Sequence, residues 1–291
     1  MKFRILLLMS LLPVAAGAQT DTGMSMIGDV NFGPEKVQNA FKTSRVINLQ
    51  SMEVTDAGVL DFKINHRFGT VGQGAYDAFG LDNASVRIGA EYGIVPNLAL
   101  IAGRSSIQKM VDVGLKYRIM HQTTDNKKPF SLLFYAGFAP YRAASTRKKS
   151  ANVYQAIIGR KFTEKFSMQL SPTAVFMGEG LNQALGMGMR YKLTNRTTLN
   201  VEYIPVLSRP NTYSIPEDQV KFSNSLSIGF DIETGGHVFQ LHFTNSAGMT
   251  EPQFITQTTN QWQRNRGFSF GFNISRVFTV VSPDMFRNNS Y

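Results

Sequence analysis

Cysteine is absent from all 291 residues, so neither disulfides nor thiolate chemistry is available to this chain. Histidine occurs only four times and tryptophan once. His66, His121, His237 and His242 stand apart from one another, and the last two fall on opposite faces of one extended segment. A transition-metal site would need Cys or paired His, so none is expected, and no cofactor is implied. Long apolar runs are missing too. Beyond residue 18 none reaches the ~18 residues that mark a transmembrane helix. Glycine and phenylalanine, in contrast, are plentiful at 25 and 22 residues, while the mean hydropathy is −0.14. A large helical soluble protein has no need of that mixture. A transmembrane barrel does, because only alternate residues of its strands meet lipid, which hides the hydrophobicity from a hydropathy window.

The chain opens MKFRILLLMSLLPVAAGAQT. Lys2 and Arg4 supply a charged start, Ile5 to Val14 an apolar stretch, and Ala16-Gly17-Ala18 a small-residue cleavage site. Residues 1–18 are therefore expected to be a cleaved signal peptide, which predicts export. The net charge of +10 falls by two, to +8, when Lys2 and Arg4 leave. A basic chain can bind nucleic acid, but here the charges are spread singly along alternating segments, and an exported chain meets anionic lipid instead. No nucleic-acid partner is expected.

From residue 59 onward the period is two. VLDFKINHRFG sets Leu60, Phe62, Ile64 and Phe68 against Asp61, Lys63, Asn65 and Arg67. SVRIGAEYG, MVDVGLKYRI, ALGMGMRYKL, SLSIGFDIE, VFQLHF and GFSFGFNISRVF repeat the scheme. Segments 97–105, 129–142, 152–162, 166–177 and 197–208 are weaker, with Pro172 and Pro205 interrupting two of them. Twelve strands follow, most long enough to cross a bilayer at a tilt. Soluble strands average five or six residues and their sheet edges need protection, whereas an even number of long strands suits closure.

Connection lengths test this independently, since such barrels alternate short periplasmic turns with longer external loops. The segments 93–97, 161–166, 194–198 and 234–237 fill the short slots, the last with the hairpin signal Gly235-Gly236. Residues 69–83, 145–150, 209–223 and 245–266 fill the long ones. Two connections break the rule: 105–109 is short for a loop, and HQTTDNKKP (121–129) is long for a turn.

The expected fold is thus all-β: a closed antiparallel up-and-down transmembrane barrel of about 12 strands over 59–280, with a tail at 281–291. Ahead of it, 19–58 is expected to be a periplasmic segment or plug with one helix at PEKVQNAFKT (34–43), where Val37, Ala40 and Phe41 recur at helical spacing.

The stretches FKTSRVINLQS (41–51), VLDFKINHRFG (59–69) and LDNASVRIGAEYGI (81–94) resemble the opening blocks of a family of Gram-negative outer-membrane β-barrel proteins that carries a domain-of-unknown-function label. The likeness runs from about residue 40 to 280. It implies an outer-membrane location, contact with lipid and lipopolysaccharide, and insertion by the barrel assembly machinery; it implies no activity.

Strand parity places Lys63, Arg67, Arg87, Lys116, Arg118, Arg190 and Lys192 on the inner face with Asp61, Glu91, Asp112, Glu202, Asp231 and Glu233. One expectation is a narrow or partly plugged pore for small solutes or ions, lined by these charges. The alternative is a closed barrel that binds through its external loops. A lipid hydrolase comes third: His66 has lipid-facing parity but no nucleophile motif beside it. Arg147, Lys148 and Lys149 form a loop cluster suited to lipopolysaccharide phosphates. Alternating glycine in GMGMRY is read as lumen space, since no phosphate-loop lysine follows.

Overall fold

The computed structural model describes residues 35–142, 148–178, 180–209, 222–264, 266–282 and 284–287, so the expected signal peptide lies outside the described residues. The strands are β1 (Val59–Thr70), β2 (Ala84–Val95), β3 (Leu98–Ser105), β4 (Val111–Met120), β5 (Ser131–Arg142), β6 (Lys148–Lys161), β7 (Phe166–Met177), β8 (Gly180–Lys192), β9 (Thr197–Ile204), β10 (Val206–Ser208), β11 (Ser225–Thr234), β12 (His237–Thr244) and β13 (Ser269–Thr279). Helices are α1 (Glu251–Thr256) and α2 (Asp284–Arg287).

Each strand pairs antiparallel with its neighbour, and β1 pairs with β13, so a ring of twelve strands closes on itself. The short β10 continues the register of β9 beyond Pro205, from Tyr203↔Met187 to Val206↔Ala184. Pro172 does not stop β7. It pairs with Leu185 of β8, while the ladder to β6 skips it for want of an N–H donor. Ring strands run from eight to fourteen residues. At ~3.3 Å per residue, a tilted twelve-residue strand rises roughly 28 Å, close to a bilayer's hydrocarbon thickness.

The burial pattern is that of a soluble protein turned inside out. In β4, Val113, Leu115, Tyr117 and Ile119 are exposed while Asp112 and Lys116 are buried. In β1, Asp61, Lys63, Asn65 and Arg67 are buried and Phe62 is exposed. Tyr117, Tyr191 and Tyr203 face outward with Tyr92 half-buried, residue types suited to a membrane interface. Arg276 is also outside, with its guanidinium 4.9 Å from the ring of Phe278. The outer surface is therefore an apolar band, and the polar groups are inside.

The Gly235-Gly236 turn matches its expectation: both residues have positive φ (51° and 96°), Thr234 pairs with His237, and Ile232 with Phe239. Two local expectations are corrected. Residues 35–43 are not helical; Lys36 instead forms an antiparallel bridge with Thr123. The helical spacing of Val37, Ala40 and Phe41 is overruled because the segment finds backbone partners on the barrel. Nor is 145–150 wholly a loop, since β6 begins at Lys148 and carries Lys149 opposite Tyr141.

Candidate functional site, a filled lumen

Residues 38–57 leave the bridge at Lys36, enter the ring at the end bearing the tight turns, reverse, and return to start β1. The reversal is a small hairpin. Arg45 and Gln50 bridge, Val46 N donates to Leu49 O at 2.9 Å, and Ser51 N to Ser44 O at 2.9 Å. Val46, Ile47, Leu49, Gln50 and Ser51 are all buried. This is the stretch SRVINLQS.

The ring's inner side chains grip this hairpin chiefly through its backbone. Glu202 of β9 is the acceptor for three consecutive amides at the tip, Ile47 at 3.2 Å and Asn48 and Leu49 at 2.8 Å, and for Asn48 Nδ2 at 3.0 Å. A carboxylate bonded by several N–H donors gives a strong, charge-assisted arrangement. Around it, Gln240 Nε2 donates to Val46 O (2.6 Å), Asn273 Nδ2 to Ile47 O (3.2 Å), and Arg67 Nη2 to Asn48 Oδ1 (2.7 Å). Lower down, Lys116 Nζ donates to Ser44 O at 2.9 Å, and Gln169 spans Gln50 O and Met52 N at 2.7 and 2.9 Å. Glu91 accepts from Ser44 Oγ (2.5 Å) and Thr55 N (3.2 Å), while Lys63 pairs with Ser44, Asp61 and Glu91. Arg118 Nη2 donates to Met52 O at 3.1 Å, and Arg190 Nη1 to Asn39 O and Ala40 O at 2.8 and 3.0 Å.

The remaining inner charges serve one another or the mouth. Arg87 pairs with Asp112. Asp231 accepts from Gln240 Nε2 at 2.6 Å and Thr198 Oγ1 at 3.3 Å. Glu233 pairs with Lys42, and together with Lys192 they line a cavity of about 1160 Å³ at the turn end, beside the entering segment.

Glycine shapes the wall for the hairpin. A Cβ on Gly186 would stand 2.8 Å from Leu49 Cδ2, and one on Gly188 2.8 Å from Val46 Cγ2. The lumen space expected from GMGMRY is occupied by the chain itself.

From the opposite end, the connection between β12 and β13 folds inward as α1, every residue of which is buried. Gln253 Nε2 donates to Ile107 O at 3.0 Å, and Phe254 and Ile255 join Val46, Leu49, Leu133, Tyr135, Val153, Ile157 and Val175 in one apolar cluster inside the ring. That cluster accounts for the weak alternation of β5 and β6, where inward Leu133, Tyr135, Ala139, Val153 and Ile157 face packed protein rather than water. The two misfit connections also find a cause. The 121–130 turn is long because it holds the entering segment, with Val37 N donating to Gln122 O at 2.9 Å and His121 Nε2 to Val37 O at 2.9 Å. The 105–109 loop is a tight turn with positive φ at Gln108 and Lys109 (55° and 48°), lying against α1. Burial and the nearby Arg118 guanidinium depress His121 to about 4.

On the outer wall His66 stacks on Phe272 at 4.8 Å and leans on Phe68 at 4.4 Å, and its Nδ1 has no hydrogen-bond partner. His242 is buried in the lumen. Of the expected lipopolysaccharide cluster, Arg147 lies outside the described residues and Lys149 is exposed.

The family model described as "Membrane bound beta barrel domain (DUF5777)" matches residues 41–278. The chain belongs to this family. The match begins at Phe41, so it takes in the inserted hairpin as well as the ring. No curated protein matches the sequence. Among solved structures, the chain is similar to the KdgM porin at 11% identity, with 76% of this chain and 99% of that one covered and a TM-score of 0.46. The NanC porin gives 10%, 76% and 100%, and 0.47. An outer membrane channel from Pseudomonas putida F1 gives 12%, 78% and 97%, and 0.45.

Proposed function

We propose that this protein is an outer-membrane barrel serving as a normally closed pore for small polar solutes or ions, with residues 44–52 as a removable stopper. In this reading the turn end is periplasmic, the loop end external, and the outer apolar band meets lipid and, at the external rim, lipopolysaccharide. The observation that carries the reading is the nature of the seal. The lumen is filled by a separate stretch of chain, gripped by the wall through its backbone, rather than by the wall's own side chains alone. Water can replace each such bond at a net cost of about 0.5–1.5 kcal/mol, more for the charged partners. A wall that interlocked with itself would have to unfold to open. Withdrawal would leave a charged lining of Lys63, Arg67, Arg87, Glu91, Asp112, Lys116, Arg118, Arg190, Lys192, Glu202, Asp231 and Glu233.

Planar-bilayer recording on the refolded mature chain tests this. The unaltered protein is expected to be silent or to open rarely, and Glu202→Ala to give frequent steps. Silence from a Glu202→Ala protein shown to be folded and inserted, with its stopper displaced, would end the pore reading. That result would favour a closed barrel binding through its external loops, a reading to which the buried α1 and its apolar cluster lend support. The hydrolase idea is left with little, because His66 spends its ring on phenylalanine stacking.

A further inference from the structure

The two inward segments enter from opposite ends and meet at one carboxylate. Glu251, the first residue of α1, is 1% exposed. Its Oε1 accepts from Gln50 Nε2 at 2.8 Å and lies 3.0 Å from Arg45 Nη2. Arg45 and Gln50 are the two residues whose bridge closes the base of the stopper hairpin, so Glu251 holds both of its arms. Arg45 stands within electrostatic reach of the cations Arg67 and Lys116, which makes the Glu251 carboxylate its stabilising neighbour. Both ends of α1 also touch the loop-end wall: Oγ1 of its N-cap Thr250 donates to Met110 Sδ at 2.9 Å, and Thr256 Oγ1, which donates to Pro252 O at 2.7 Å, lies 3.3 Å from Met177 Sδ.

This arrangement ties the two segments together. Drawing the stopper out takes Arg45 from the Glu251 carboxylate, which is left under α1's apolar cluster with Arg87 in electrostatic reach but no ion pair. Lifting α1 leaves Arg45 buried without its carboxylate. An unpaired buried charge is far more costly than the pair, so loss of either segment promotes loss of the other. The apolar cluster acts in the same direction, since Val46 and Leu49 share it with Phe254 and Ile255.

We infer that the stopper and α1 form one two-sided gate with Glu251 as its coupling residue. A displacement of the 245–266 connection at the loop end is read at the N-terminal segment at the turn end, and linkage requires the converse. The inference rests on residues 44–52 being removable, and the experiment separates the two ideas.

The chain has no cysteine, so Ile47→Cys, at a site 1% exposed, supplies a single thiol at the stopper tip. The full-length mature protein in proteoliposomes is treated with a charged maleimide, with and without Glu251→Ala, Glu251→Gln or Glu202→Ala. Folding is verified by circular dichroism and by heat-dependent gel migration. Labelling is expected to accelerate roughly 5- to 150-fold in Glu251→Ala, and in Glu202→Ala as well. Glu251→Gln, which keeps an acceptor for Gln50, should give a smaller increase. A reciprocal probe, Ile255→Cys, should label faster when Glu202 is replaced. If Glu202→Ala exposes Ile47→Cys but leaves Ile255→Cys protected, and Glu251→Ala exposes neither, the segments move independently and the coupling is wrong. If Glu202→Ala itself fails to expose Ile47→Cys, the removable stopper is wrong.

Discussion

Glu202 is the residue on which most of the hairpin's tip depends. Three amides converge on its carboxylate in a setting that is fully buried. Glu202→Ala leaves those donors without an acceptor, which should weaken the stopper's seating by about 2–4 kcal/mol. Hydrogen exchange at Asn48 and Leu49 reads this directly, and unchanged protection would mean that other contacts hold the tip. Gly188 offers the steric counterpart. Gly188→Leu places side-chain atoms where Val46 now sits, and overpacking of this kind costs about 1–3 kcal/mol. The same exchange measurement should show the hairpin loosened while the ring's own amides keep their protection. Loss of ring protection would show instead that the residue shapes the wall and not the stopper.

At the scale of elements, the barrel's irregular connections exist to hold inserted segments. The 121–130 turn carries His121, whose ring donates to Val37 O and whose affinity for a proton is lowered by burial and by Arg118. The groups facing it include Arg118, Lys36 and Asp56. The fold accommodates the neutral ring. The stabilisation is therefore complete above the ordinary value of 6.5 and is lost as pH falls through about 4. Acidification from pH 7 to 4 should release residues 35–38 from the turn, seen as a lower protection factor of the Val37 amide once its exchange rate is corrected for the intrinsic pH dependence. His121→Gln should flatten that dependence, and a profile unchanged by the substitution would assign the pH effect to other groups.

For the whole molecule, the outward apolar band is the surface a bilayer would cover, and strand β13 allows a graded test. Ile274 lies midway along it and pairs with Ile64 and Phe239, while Phe278 lies near its turn end. A cation on the lipid face costs about 2–4 kcal/mol at the bilayer midplane and about 0–1 near an interface. Ile274→Arg should therefore destabilise folding into lipid vesicles, measured by urea titration, far more than Phe278→Arg. Arg276, already tolerated beside Phe278, fits the shallow end of that gradient. Equal costs at the two positions would argue against a membrane around this strand.

Period-two alternation was enough to determine the strands, their number and their faces, because lipid outside and a polar interior act on every residue of a strand separately. The Gly235-Gly236 hairpin and its register were legible for the same reason: positive φ at two adjacent residues is a local demand. A plug within 19–58 was one of two expectations for that segment, but which residues enter the ring, and how SRVINLQS is held there, was not legible. Nothing local distinguishes a backbone that hydrogen-bonds to itself from one whose amides are taken up by Glu202 and whose carbonyls accept from Asn273 and Gln240, residues more than 150 positions away. The helical spacing at 34–43 misled because that segment's partners also lie far off in sequence. The sequence does carry hints: apolar residues at inward positions of β5 and β6, a turn too long, a loop too short, glycines where the wall had no reason to be bare. Each registers something inside the ring without naming it. Only closure of the ring brought Glu202, Glu251, Gly188 and Arg45 to one place, and the filled lumen follows from that meeting.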